Sequence, residues 1–181
     1  ILLADYKDGE QRPLARMGTI NNVISKAVKG QYELNPYPRW LALDHHTPTS
    51  YAEALETSLV NFKAPAILKK NPVNILVAGC GTGRHALHVA RYFRDAKVLA
   101  IDISAKSLQY AQKMAAHYDI HNVEFLQADI LELNQIQQEF DIIECSGVLH
   151  HMQDPLAGAR ILSSLLAPNG IMKIGLYSER A

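Results

Sequence analysis

Short apolar runs alternate with amphipathic stretches along the second half of the chain. The runs are flanked by polar residues or glycine, which is typical of strands that are buried on both faces of a sheet. On this pattern, strands are expected at about 74–79, 97–102, 123–127, 140–145 and 171–177.

The stretches between these strands carry apolar residues at helical spacing. They predict helices at 83–93, at about 104–117 and from Asp154-Pro155 onward, with room for only a short helix within 131–139. Asp is a favoured N-cap and Pro a favoured first helical residue. Because repeated strand and helix units need right-handed crossovers, the pattern predicts an α/β fold with a Rossmann-like doubly wound, mainly parallel sheet.

The first part of the chain has a weaker pattern. Apolar residues at helical spacing predict a short helix near 17–29, which Gly30 would end. Ser50 and Glu53 form a capping box, which predicts a second helix that continues through Val60 and packs against the sheet.

Two prolines interrupt the segment between these helices, QYELNPYPRW at 31–40. Proline disfavours helix at its own position and at the residue before it, so the segment is predicted to be stiff and non-helical. Two interpretations stay open. The segment is either a packing strap or a lid in which Tyr32, Tyr37 or Arg39 faces a ligand.

Composition narrows the class of function. The chain has 181 residues, 18 basic and 18 acidic, and is 48% hydrophobic, which describes one globular domain with no charge excess for nucleic acid or an anionic membrane. Cys80 and Cys145 lie far apart without a CxxC pair, and no apolar run is long enough to span a bilayer. We therefore expect a cytoplasmic protein with a small-molecule site and no metal, and the terminal residues suggest part of a longer chain.

Glycines and acidic residues follow the predicted strands where they end. The first strand ends at Gly79, the second in Asp102, the third in Ala128-Asp129 and the fourth in 144–147. Ligands bind at the carboxyl ends of the strands in doubly wound sheets. Asp102 follows Gly79 by about 20 positions, the spacing of an acidic residue that accepts hydrogen bonds from a ribose diol.

Residues 74–177 resemble the class I S-adenosylmethionine-dependent methyltransferases. Five stretches are similar to the motifs of that family, in chain order VAGCGTG, AIDIS, LQADI, FDIIECSGVLHHMQDP and LLAPNGIMKIGLY. In addition, QYELNPYPRW and the terminal GLYSERA resemble bacterial methyltransferases that carry tetratricopeptide repeats, which implies a protein partner bound through repeats outside these residues.

The resemblance implies that S-adenosylmethionine is the cofactor and assigns residues to it. Asp102 would hold the ribose hydroxyls, Asp129 the adenine amino group, and Ile103 would pack on the adenine ring. Ala78 stands near the place where many relatives carry an acidic residue, so backbone carbonyls are expected to hold the amino group of the cofactor, at Gly79 or Cys145. The methionine part would face Gly79, Gly81 and Gly83, and the site would be completed by Cys80, Ala128 and Ile130.

The chemistry follows from the cofactor, whose sulfonium methyl is already electrophilic, so the protein has to align an acceptor and, where needed, remove a proton. His150 and His151 follow the fourth strand and are candidate general bases, because imidazole titrates near neutrality; we prefer His150. The resemblance also implies a division into an N-terminal segment or lid, 1–49, and a cofactor domain, 50–181, which is C-terminally incomplete because the family sheet usually has seven strands.

Two alternatives stay open. Residues 81–86 also satisfy the GxGxxG/A pattern of a nicotinamide-dependent oxidoreductase, and Asp102 would serve that cofactor equally well. The chain could instead be a non-catalytic module that binds the cofactor and is attached to repeats. The sequence favours the methyltransferase because the oxidoreductase pattern does not account for Gly79 or for Ala128-Asp129.

Overall fold

A computed structural model describes residues 13–177, and within that part of the chain a six-stranded parallel sheet forms the centre of the molecule. The strand order is β1-β4-β3-β2-β5-β6. The strands are β1 (Ala15–Arg16), β2 (Val73–Ala78), β3 (Ala96–Asp102), β4 (Val123–Gln127), β5 (Phe140–Ser146) and β6 (Leu166–Gly175). The predicted doubly wound α/β fold is confirmed.

Helices cover both faces of the sheet. They are α1 (Val23–Leu34), α2 (Tyr51–Ser58), α3 (Arg84–Tyr92), α4 (Ala105–His117) and α5 (Pro155–Ser164), with 3-10 helices at Ala66–Lys69, Ile130–Gln135 and Leu149–His151. Side chains cap the start of α5 and of α2: the Asp154 side chain accepts hydrogen bonds from two N–H groups at the start of α5, and the predicted capping box of Ser50 and Glu53 is present at α2. No helix in 13–177 is long and apolar enough to cross a membrane.

Two core clusters lie on opposite faces of the sheet, because successive side chains of a strand point in opposite directions. On β2, Ile75 and Val77 join the cluster that contains side chains of α2, α3 and α4. Leu76 and Ala78 join the other cluster, which packs against α5. The sheet is therefore covered on both faces. The carboxyl ends of its central strands stay accessible to a ligand.

The structure corrects the two elements predicted between residues 17 and 40. The first helix is displaced: α1 spans Val23–Leu34 instead of 17–29, since Asn22 caps it by accepting a hydrogen bond from the Ser25 N–H at 3.1 Å. Gly30 does not end this helix and lies within it. The prediction that 31–40 is wholly non-helical is wrong for 31–34, which form the last turn of α1.

The strands differ from the prediction at both edges of the sheet. β1 was not predicted, because two residues are too short to show an alternating pattern. β6 begins at Leu166 instead of 171 and ends at Gly175. The pairing of β6 with β5 shifts register between Phe140 and Ile142. Asn169, with a left-handed φ of 64°, lies in this irregular part of β6. Residues 1–12 of the predicted N-terminal segment and the last four residues of GLYSERA lie outside the described residues.

Candidate active site

A cavity of about 900 Å³ opens where β2, β3, β4 and β5 end. Its wall contains residues from all four strand ends, from α1, from the start of α3 and from the segment after β5. This is the edge at which doubly wound sheets bind ligands. We call the part of the cavity around Gly79, Asp102 and Asp129 the cofactor end and the part around His85 and Glu144 the acceptor end, after the ligands that we expect there.

The turn after β2 is held in shape by hydrogen bonds to β3. The N–H groups of Gly79 and Cys80 both donate to the Ile101 carbonyl at 2.9 Å, and the Gly81 N–H donates to Asp102 Oδ2 at 2.8 Å. Gly81 has a left-handed φ of 55°, and a Cβ there would overlap the carbonyl of Tyr37. Only glycine therefore lets the chain turn here at such close approach.

Asp102 is fixed at the end of β3 by two backbone groups. Its Oδ2 accepts from Gly81, and its Oδ1 accepts from the Ser104 N–H at 2.9 Å. Burial raises the pKa of the Asp102 carboxyl above its ordinary value, and the N–H groups of Ser104 and Gly81 oppose this rise by stabilising the ionised form. Asp102 lines the cavity together with Gly79, Cys80 and Gly81.

Four further residues expected at the cofactor also line the cavity. They are Ile103, Ala128, Asp129 and Ile130. The Asp129 carboxyl is buried, and its Oδ1 accepts a hydrogen bond from the Leu131 N–H at 3.0 Å. This bond begins the 3-10 helix and fixes the carboxyl at the end of β4.

Two residues assigned to the cofactor lie elsewhere. Gly83 is absent from the cavity wall and faces α4, where an added Cβ would lie 2.5 Å from the Ala111 Cβ. Its role in this structure is close helix packing. The Cys145 thiol is buried in a core cluster away from the wall, and burial raises its pKa to about 11. A contact through the Cys145 carbonyl stays a prediction.

The proline-containing segment is both a packing strap and part of the cavity wall. Thr82 holds it by donating its N–H to the Tyr37 carbonyl at 3.1 Å and its hydroxyl to the Pro38 carbonyl at 2.5 Å. The buried Trp40 donates its indole N–H to Thr82 Oγ1 at 3.1 Å. Tyr37 and Pro38 line the cavity, as does Tyr32 of α1, whereas Arg39 does not.

Helix α1 is attached over the cofactor end by its last turn. The Glu33 carboxylate accepts hydrogen bonds from the N–H groups of Ala105, at 2.8 Å, and Lys106, at 3.3 Å, at the start of α4. A carboxylate at this position satisfies helix N–H groups that have no partner within the helix. Helix α1 thus contributes to the cavity wall, and the role of the N-terminal segment as a lid stays a prediction.

The two histidines predicted as general bases are neighbours in the 3-10 helix after β5 but have different surroundings. His151 lines the cavity, and burial together with the neighbouring His150 lowers its pKa. The His150 ring packs between His151 and Tyr177, with ring centroids 4.1 and 4.5 Å away. It does not line the cavity, and neither of its buried nitrogens has a hydrogen-bond partner. The structure therefore favours His151 over His150, and the catalytic role of either residue stays a prediction.

The sequence interpretation missed a cluster at the acceptor end. Glu144, at the end of β5, accepts hydrogen bonds from Tyr51 Oη at 2.5 Å and from His85 Nε2. Tyr51 is the first residue of α2, and His85 lies in the first turn of α3. The sequence pattern places Glu144 at the end of a strand. No sequence motif joins it to a tyrosine 93 positions earlier.

The chain is similar to known methyltransferases. A family model described as a methyltransferase domain matches residues 69–180, more than half of the chain. The chain belongs to this methyltransferase family. The match covers every strand from β2 to β6 and both acidic residues that follow strands at the cavity, Asp102 and Asp129.

Similar proteins come from several bacteria. An uncharacterised protein of Synechococcus is 34% identical over 86% of this chain and 38% of its own length. The ubiquinone biosynthesis O-methyltransferase of Acinetobacter baylyi is 34% identical over 53% of this chain and 40% of its own length. PKMT2 of Rickettsia typhi, solved in complex with AdoHcy, is 27% identical with a TM-score of 0.54 over 68% of this chain and 24% of that structure. The chain thus spans well under two thirds of each of these relatives.

Proposed function

We propose that the chain binds S-adenosylmethionine and transfers its methyl group to an acceptor held in the same cavity. The proposal is supported by the arrangement of residues at the cofactor end of the cavity, in a chain that matches the methyltransferase family. There the Gly79–Gly81 turn, the fixed Asp102 carboxylate and the buried Asp129 lie together at adjoining strand ends.

The residues of the cofactor end fit the groups of this cofactor. Asp102 would accept hydrogen bonds from the ribose hydroxyls, and Asp129 from the adenine amino group, since both carboxyls are held in place by backbone N–H groups. The turn allows close approach of the methionine part. When bound, the cofactor supplies an electrophilic methyl group, and the protein contributes alignment and exclusion of water.

The acceptor end favours a molecule with an apolar body and one polar reacting group. Apolar side chains of Ile24 and Val28 in α1 and of Met152 and Ala157 contribute to the cavity wall. The relative from Acinetobacter baylyi is an O-methyltransferase, so a hydroxyl is the acceptor group that we propose first. A small molecule fits this arrangement better than a protein side chain, which is the second candidate.

Calorimetric titration with S-adenosylmethionine, S-adenosylhomocysteine and NAD tests the cofactor. Binding of the first two and no binding of NAD is expected, whereas preferential NAD binding would support the oxidoreductase alternative and overturn the proposal. Transfer of a tritiated methyl group to catechol, benzylamine and a thiol then tests the reaction. Cofactor binding without transfer to any acceptor would favour a non-catalytic binding module.

The tetratricopeptide repeats and a protein partner bound through them stay predictions, supported by the resemblance of QYELNPYPRW and GLYSERA alone. The sequence that flanks these residues in the whole protein would test them directly. A partner would be sought by co-purification with that longer protein.

A further inference from the structure

Three elements converge on the Glu144 carboxylate at the acceptor end. Tyr51 of α2 donates to Oε1 at 2.5 Å, His85 of α3 contacts Oε2 through Nε2, and Lys173 of β6 lies 3.9 Å from Oε2. The Glu144 side chain is 4% exposed, while that of His85 is 46% exposed and lines the cavity. The cluster therefore has a buried carboxylate behind an imidazole that is open to the site.

This contact selects one form of the neutral His85 ring. A carboxylate can only accept a hydrogen bond, so the ring proton must lie on Nε2, which leaves the lone pair on Nδ1. Support by a carboxylate also restrains the orientation of the ring. His85 thus has a nitrogen that can accept a proton and a partner that fixes which nitrogen that is.

We infer that His85 Nδ1 accepts the proton that the acceptor loses when it is methylated, with Glu144 and Tyr51 as positioning residues. The inference rests on the proposed function. In the step, the bond from sulfur to the methyl carbon breaks and its electron pair stays on sulfur. A bond forms from the acceptor oxygen or nitrogen to the methyl carbon, and the proton moves to Nδ1, which gives a protonated imidazole beside Glu144.

The charges around the cluster support this arrangement. Burial alone would raise the pKa of Glu144, but the interactions with His85, Tyr51 and Lys173 outweigh it and lower this pKa. Burial, with the adjacent Glu144, raises the pKa of Tyr51. Glu144 is therefore ionised and Tyr51 protonated at neutral pH, so the phenol donates and the carboxylate is ready to stabilise a protonated His85.

His151 lines the same cavity and is an alternative base. It neighbours His150, another imidazole, and burial lowers its pKa. A protonated His151 would face that neighbour, whereas a protonated His85 would be stabilised by a carboxylate. The difference in partner is the reason to assign the proton to His85.

Nitrogen NMR of the ring tests the inference without an acceptor. The whole chain, labelled with ¹⁵N-histidine and saturated with S-adenosylhomocysteine, is measured in long-range ¹H–¹⁵N spectra at roughly pH 6 to 9, the range in which imidazoles titrate. The His85 signals are identified by their loss in His85→Gln. We expect a neutral ring above the midpoint of the titration with the proton on Nε2 and an unprotonated Nδ1.

Two variants test whether Glu144 positions the His85 ring or only contributes to the stability of the fold. Glu144→Leu removes the acceptor at similar volume and should give a mixture of both tautomers, whereas Tyr51→Phe keeps the His85 contact and should keep the Nε2 tautomer. A proton on Nδ1 in the wild-type chain, or a ring that stays protonated throughout this range, would overturn the inference, and so would an unchanged tautomer in folded Glu144→Leu. If Glu144→Leu does not fold, the wild-type spectrum still decides.

Calorimetry on the same samples distinguishes the two proposals. Binding of S-adenosylhomocysteine together with the wrong tautomer contradicts only the role of His85. If the wild-type chain does not bind S-adenosylhomocysteine, the proposed function is wrong. The inference about His85 then fails as well, whichever tautomer is observed.

Discussion

The two ends of the cavity are built in different ways. At the cofactor end, each important residue lies at the end of its own strand, and backbone N–H groups of neighbouring residues hold the Asp102 and Asp129 carboxyls. At the acceptor end, Glu144 is held by side chains from α2 and α3, which are distant in sequence. The proposed cofactor recognition therefore depends on local geometry that recurs from strand to strand, while the proposed proton transfer depends on how three separate elements pack.

The largest expected effect is at the acceptor end. In His85→Gln, methyl transfer to the acceptor that reacts in the tritium assay should fall by about 10²- to 10⁴-fold, the range for loss of a general base. The affinity for S-adenosylhomocysteine should change by less than about threefold, because the cofactor contacts lie at the other end. The rate is measured at saturating cofactor and the affinity by calorimetry.

A matched control for this variant is His121→Gln, since His121 is exposed, contacts Asp119 and does not line the cavity. It should transfer methyl groups at the wild-type rate. An equal loss of rate and cofactor affinity in His85→Gln would mean that the two ends do not act separately.

The next effect concerns the glycine-rich turn. Gly83→Ala should lower the free energy of unfolding by about 2–4 kcal/mol, because a side chain is strained at a left-handed φ and would crowd helix α4. The observed φ is 84° and the nearest atom to an added Cβ is the Ala111 Cβ at 2.5 Å. Denaturant unfolding measures the change.

Gly30 provides the matched control for that substitution. It lies inside α1, and an added Cβ would have no neighbour within 4 Å, so Gly30→Ala should stabilise the chain by about 0.5–1 kcal/mol. If Gly83→Ala instead weakened cofactor binding at unchanged stability, Gly83 would contact the cofactor as the sequence predicted.

A smaller effect is expected for the carboxylate of the cofactor end. Asp102→Ala should weaken binding of S-adenosylmethionine by at least about tenfold, since a hydrogen bond to a charged group contributes about 1.5–3 kcal/mol. Calorimetry measures the affinity, with Asp119→Ala as the control because Asp119 is exposed and away from the cavity. Unchanged affinity in Asp102→Ala would remove this residue from the cofactor site.

The smallest effect concerns the helix that positions Tyr51. The Ser50 N–H, the Thr49 hydroxyl and Arg94 lower the pKa of Glu53 to about 2 from an ordinary value of 4.5. A carboxyl with a lowered pKa stabilises the fold fully above its unfolded pKa and loses this contribution as the pH falls through the folded pKa. The stability difference between wild type and Glu53→Gln should therefore be greatest above pH 4.5 and shrink toward pH 2. Urea unfolding at several pH values measures it, and a constant difference would contradict the assignment.

Most of the fold and of the cofactor end could be predicted because their signals are local. The apolar run before Gly79 and the acidic residue after Ile101 each mark a strand end within a few positions, and the structure places both at the cavity. Gly83 shows the limit of this approach: the glycine spacing suggests a ligand contact, whereas the packing of α3 against α4 explains the residue here.

The sequence by itself determined the succession of strands β2 to β6 with helices α3 to α5, the capping box at α2 and the residues at the strand ends, because hydrophobic periodicity and turn chemistry act over a few neighbouring residues. Only the tertiary structure decided that His151 lines the cavity while His150 does not, and that Tyr51 and His85 meet at Glu144. Such contacts depend on the relative placement of whole elements, which packing of the two cores fixes and which no local pattern records.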